Sequence, residues 1–107
     1  MNERLHQLAD NVAKANDTFF IKHPSVDTLM GIMDKTLRKQ GMQADAITLD
    51  CITLNKKVVM LVHDNKPDVI EVALGNKAGE ILSSSQYQSS DLCEQTIITI
   101  MEDYFIK

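Results

Sequence analysis

The chain reads as an α+β protein built on a four-stranded antiparallel β-meander, in the order α-α-β-β-β-β-α, with its helices packed mainly on one face of the sheet. Three observations predict this. Short apolar runs separated by Asn-, Gly- and Pro-containing turns fill residues 46–87. The connections between those runs are too short for parallel crossovers. Helical periodicity lies on either side of the meander, over residues 3–40 and from Asp91 to the C-terminus.

In order, the first helix is expected over residues 3–15, where Leu5, Leu8, Val12 and Ala15 form a narrow stripe that Asn16-Asp17-Thr18 interrupts. Phe19-Phe20-Ile21 follows as a very apolar insert, either a core plug or an exposed anchor for a partner. A second helix is expected from Pro24 or Ser25 to Gln40. Val26, Leu29, Met30, Met33 and Leu37 supply its stripe, Lys35, Arg38 and Lys39 suit the negative end of its dipole, and Gly41 stands as the residue after its C-cap.

The strands are expected at about Ala46–Leu54, Lys57–His63, Val69–Gly75 and Glu80–Tyr87. Asn55-Lys56-Lys57 makes the first hairpin, with Asn suited to positive φ. The second strand carries Val58-Val59-Met60-Leu61-Val62, apolar on both faces, which places it centrally and asks for cover on both sides. The fourth strand is Ser-rich and reads as an edge. Ser89-Ser90-Asp91 caps a last helix whose stripe is Cys93, Ile97, Ile100, Met101 and Tyr104, widened by Ile98 and Phe105.

A chain of 107 residues has the size of one domain, 1–107, and can bury a core without a metal or disulfide. Its net charge of −4 falls entirely in residues 46–107, while residues 1–45 balance six basic against six acidic side chains. That distribution argues against nucleic acid as a partner; it suits solubility alone, and, where there is a partner, another protein basic at the contact. No apolar run approaches a membrane span, and the N-terminal residues Met1-Asn2-Glu3-Arg4 open an amphipathic pattern without the apolar region of a signal peptide. Two distant cysteines then fit a cytoplasmic location with reduced thiols.

Helices flanking an antiparallel meander on a small acidic chain resemble the architecture of secretion-type chaperones and of profilin-like domains. The resemblance is one of architecture and transfers no residue roles.

Nucleotide-binding glycine loops are absent, and His6, His23 and His63 are too scattered for a metal motif, so no cofactor is expected. The one Cys/His pair that a hairpin places within conceivable reach is Cys51 with His63. Two functional readings follow. The leading one is a non-catalytic interaction module, a homo-oligomer or a small acidic chaperone- or inhibitor-like protein. It rests on a last helix apolar around much of its circumference, with Ile98, Met101, Glu102 and Phe105 of that helix, or the uncovered sheet face, as the interface. Glu102 and Asp103 oppose that helix's dipole, so basic groups from Lys35, Arg38 and Lys39, in the same or a neighbouring subunit, are expected to face them. The alternative is a small enzyme or ligand-binding domain with a pocket near Cys51 and His63.

Overall fold

A computed structural model describes residues 3–106; Met1, Asn2 and Lys107 lie outside the described residues. The elements run α1 (Glu3–Lys22), β1 (Leu29–Met33), α2 (Thr36–Lys39), β2 (Ala44–Cys51), β3 (Lys56–His63), β4 (Val69–Gly75), β5 (Ile81–Gln88) and α3 (Glu94–Met101). A 3₁₀ turn at Ser89–Asp91 precedes α3, and a π-helical turn at Glu102–Ile106 continues it. The five strands form one antiparallel sheet in the order β1-β2-β3-β4-β5. The α+β class and the meander therefore hold, with one strand more than the sequence predicts.

The extra strand replaces most of the expected second helix. Leu29–Met33 pairs along β2, with Met30 opposite Leu49 and Ile32 opposite Ile47. Gly31 sits in the middle of this segment. It weakens a helix there by about 1 kcal/mol relative to Ala, and in the strand it lets the backbone lie close to Thr48, whose Oγ1 would be 2.8 Å from an added Cβ. Helix survives only as the single turn of α2. It stops where expected: Gly41 follows the C-cap at φ +88°.

α1 is longer than its stripe implies. It continues through Asn16-Asp17-Thr18, where the Asn16 and Thr18 side chains find tertiary partners. Asn16 Nδ2 donates to the Thr28 carbonyl at 3.4 Å, the Thr28 hydroxyl donates back to Asn16 Oδ1, and the Thr18 hydroxyl donates to Glu94 Oε1 at 3.0 Å. The extension splits the Phe19-Phe20-Ile21 run. Phe19 is fully buried and meets Phe105 edge-on at 6.1 Å between ring centroids, whereas Phe20 and Ile21 are exposed.

One face of the sheet carries the core. Ile47 and Leu49 of β2, Val58, Met60 and Val62 of β3, and Ile70 and Val72 of β4 pack with Leu5, Val12, Ala15 and Phe19 of α1 and with Ile97, Ile98 and Met101 of α3. This is the period-2 alternation of a half-covered sheet. The other face of β3, Val59 and Leu61, is only half-buried. Val59 lies between Thr48 and Ala73, and Leu61 between Ala46 and Glu71. The full cover expected on both faces of this strand is met on one face alone.

β2 ends at Cys51, and the turn to β3 spans Ile52 to Asn55, with Asn55 at φ +53°. Ile52 and Leu54, expected within the strand, stay exposed in the turn. β5 lies at the sheet edge, as its composition suggests.

Candidate interaction surfaces

The antiparallel register sorts the chain's loops to two poles. One pole holds the turns at residues 52–55 and 76–80, the start of β1 and the ends of α1 and α3. The other holds the α2–β2 connection and the β3–β4 and β5–α3 turns. Their chemistry differs sharply.

The second pole is ionic. Arg38 of α2 donates from Nε to Asp45 Oδ1 at 3.0 Å and from Nη2 to Asp45 Oδ2 at 2.9 Å, and from Nη1 and Nη2 to the two oxygens of Asp64, each at 2.8 Å. The guanidinium fork matches both carboxylates, and its hydrogen bonds hold the Asp64 carboxyl below the usual carboxylate range. Arg4 Nη1 pairs with Asp68 at 2.5 Å and donates to Ser89 Oγ at 3.2 Å.

The first pole is apolar. Ten large hydrophobic residues are exposed among the described residues, and eight of them lie there. Phe20 and Ile21 end α1, Leu29 begins β1, and Ile52 and Leu54 form the β2–β3 turn. Ile81 and Leu82 begin β5, and Ile106 ends the C-terminal helix. The two hairpin turns are tied together, Lys77 N–H donating to Asn55 Oδ1 at 3.2 Å. A cleft of about 270 Å³ lined by Leu29, Cys51, Ile52, Lys56, Lys57 and Lys77 opens beside them. Turn residues are ordinarily polar, so Ile52 and Leu54 at a hairpin tip are not explained by the fold.

The charges near this pole are largely used within the chain. Glu102 accepts from His23 Nε2 at 2.8 Å and pairs with Lys22 Nζ at 3.4 Å; chiefly the His23 bond, then Lys22, lowers its pKa. Lys56 Nζ donates to the Tyr104 carbonyl at 2.8 Å, supplying the cation that the end of the last helix needs. The Tyr104 hydroxyl donates to the Gly75 carbonyl at 2.5 Å. The expected basic partners Lys35, Arg38 and Lys39 are thus replaced by Lys22, His23 and Lys56, because α2 belongs to the opposite pole and Arg38 is engaged there.

The remaining expected site residues are placed as follows. Cys51 and His63 stand at opposite ends of the β2–β3 hairpin: Cys51 is opposite Lys56 and His63 opposite Ala44. Seven residue steps along the strand separate those rungs, about 23 Å at ~3.3 Å per step, so no Cys/His site assembles. Cys51 is buried, with its sulfur 3.5 Å from Thr53 Oγ1. Ile98, Met101 and Phe105, expected at an interface, are at most 3% exposed within the chain's own core. The wide apolar stripe of α3 is used internally, against α1 as well as against the sheet. Of the four expected interface residues, Glu102 alone reaches the surface, where His23 and Lys22 hold it.

Cys93, expected in the apolar stripe of the last helix, lies outside it. Its thiol is exposed at the N-cap of α3, 3.4 Å from Thr96 Oγ1. That hydroxyl first, and then the backbone N–H groups of the helix start, lower its pKa. It borders a cleft of about 590 Å³ together with Arg4, Gln7, Asn11, Ser89 and Ser90. Among the described residues, no group of three His, Cys, Asp or Glu is placed to hold a metal ion. No described helix is long and apolar enough to cross a membrane. No known family model, curated protein or solved structure matches the chain.

Proposed function

We propose that this protein is a non-catalytic protein-interaction module that works as a homo-oligomer and takes a partner through its apolar pole. The observation that carries the reading is the concentration of exposed large hydrophobics at that pole, opposite a pole that holds the Arg38 and Arg4 ion pairs. Apolar patches of this kind are costly to keep in water and mark places where another surface docks.

Two measurements test it. Sedimentation velocity or light scattering at rising concentration detects the oligomer; a strict monomer at high concentration overturns that part. Binding of an environment-sensitive apolar dye tests the pole. The double variant Ile52→Glu/Leu54→Glu, which alters only exposed turn residues, is expected to lose most of the dye signal with its circular dichroism unchanged. Dye binding equal to the native protein's overturns the pole as the docking surface.

A further inference from the structure

We propose that the exposed edge of β5 is the surface on which two copies of this chain meet. The Ile81–Gln88 strands would pair antiparallel about a twofold axis and join two five-stranded sheets into one of ten strands. This rests on the reading of the protein as a homo-oligomer and assigns that oligomer its interface.

The edge is long and undefended. β5 has eight residues, only Tyr87 of which is more than marginally covered, while the opposite edge strand β1 has five. Edge strands are ordinarily blunted by charges, proline, bulges or a covering element. No charged residue and no proline occur from Ile81 to Ser90. The irregularity in the pairing with β4 is confined to the start of the strand, between Leu74 and Gly75, so Ser83–Gln88 runs regularly.

Three features favour a second copy over a foreign peptide. The chain carries −4 overall, so two copies bear like net charge; β5 is a stretch where contact sets no charge against a like charge. A twofold contact is self-complementary by construction. The side chains also suit it. Opposed residues share a sheet face, so copies whose helices lie on the same face must pair residues of equal parity. Centring the axis on Ser85 uses the regular part of the strand. It sets Ser85 against itself and Ser83 of one copy against Tyr87 of the other, small against large on the helix-covered face. Beside those residues runs a shallow groove of about 110 Å³, lined by Val72, Leu74, Ser85, Tyr87, Ile100 and Asp103, which the second copy would close. The α1 end and the 52–55 turn of the apolar pole would stay free for a partner.

Sedimentation of Ser85→Lys tests the edge, with Gln95→Lys, at an exposed position of α3, as the charge-matched control. Two lysines opposed at the axis are expected to raise the dimer dissociation constant by about tenfold or more, roughly 1.4 kcal/mol per tenfold, while the control sediments as the native protein. Ser85→Cys in a Cys93→Ser background is expected to form a disulfide-linked dimer under mild oxidation, and it remains informative even where Ser85→Lys does not fold. A native dimer that Ser85→Lys leaves intact, or the absence of any cross-link at Ser85, overturns this interface while the homo-oligomer reading stands. A native chain that is monomeric throughout overturns both.

Discussion

Arg38 and Asp45 form a forked ion pair across the α2–β2 connection, with two N–H groups on two carboxylate oxygens at 3.0 and 2.9 Å. The Asp45 side chain is only 4% exposed, so its charge is tolerated because the fork is there. Arg38→Ala is expected to lower the urea midpoint clearly. Arg38→Lys should recover only part of the loss, since an ammonium cannot reproduce the bidentate geometry. Adding Asp45→Asn to Arg38→Ala should cost less than the two single changes together, which a double-mutant cycle reads directly.

Acid should erode an ionic contact at each pole. The Asp64 carboxyl sits below its usual value in the folded chain because Arg38 hydrogen-bonds it, and Glu102 does so because of His23 and Lys22. A depressed folded pKa means that the folded state binds fewer protons than the unfolded one. The stabilisation is present above the ordinary carboxylate range, about pH 4, and is lost as pH falls through the folded values. Urea midpoints measured from neutral pH downwards should fall in that window, and Asp64→Asn should flatten the fall.

The two thiols should separate cleanly in a labelling experiment. Cys93 is exposed at a helix start with a lowered pKa, and Cys51 is buried. The native protein should release one fast thiol equivalent, with a rate profile displaced to lower pH than that of a free thiol, and the second only on unfolding. Thr96→Val should slow the fast phase near neutral pH and leave Cys51 unaffected.

Met101 and Phe105 distinguish a core role from an interface role. Met101→Ala is expected to cost about 2–5 kcal/mol and Phe105→Ala about 3–5 kcal/mol, the range for large buried side chains. Both losses should be visible in denaturant titrations with the protein held monomeric by dilution. A change in oligomeric state without loss of monomer stability would return these residues to an interface.

Gly75 is required by a close approach. A Cβ there would overlap the Glu80 carbonyl oxygen in the β4–β5 turn, whose Asn76 N–H donates to that same oxygen at 3.1 Å. Gly75→Ala is expected to destabilise by about 1–3 kcal/mol, whereas Gly79→Ala pays only for its φ of +90° in open space. Thermal unfolding of the two variants side by side checks the order.

The sequence by itself determined the α+β class, the meander over residues 46–87, the last helix, and the turn roles of Gly41 and Asn55. These are local properties: hydrophobic period, turn chemistry and the tolerance of Gly and Asn for positive φ act within a few residues. Tertiary structure alone decided the rest. Leu29–Met33 carries helical spacing but becomes a strand, because an edge strand is defined by the ladder it joins on β2. α1 runs through Asn16-Asp17-Thr18, with Thr28 and Glu94 satisfying the Asn16 and Thr18 side chains from elsewhere in the chain. Register along the β2–β3 hairpin put Cys51 and His63 at opposite ends, and the packing of α3 on α1 consumed the apolar surface that had looked spare. The gathering of eight exposed hydrophobics at one pole is likewise invisible along the chain, since they come from separate segments that only the sheet's register brings to the same end.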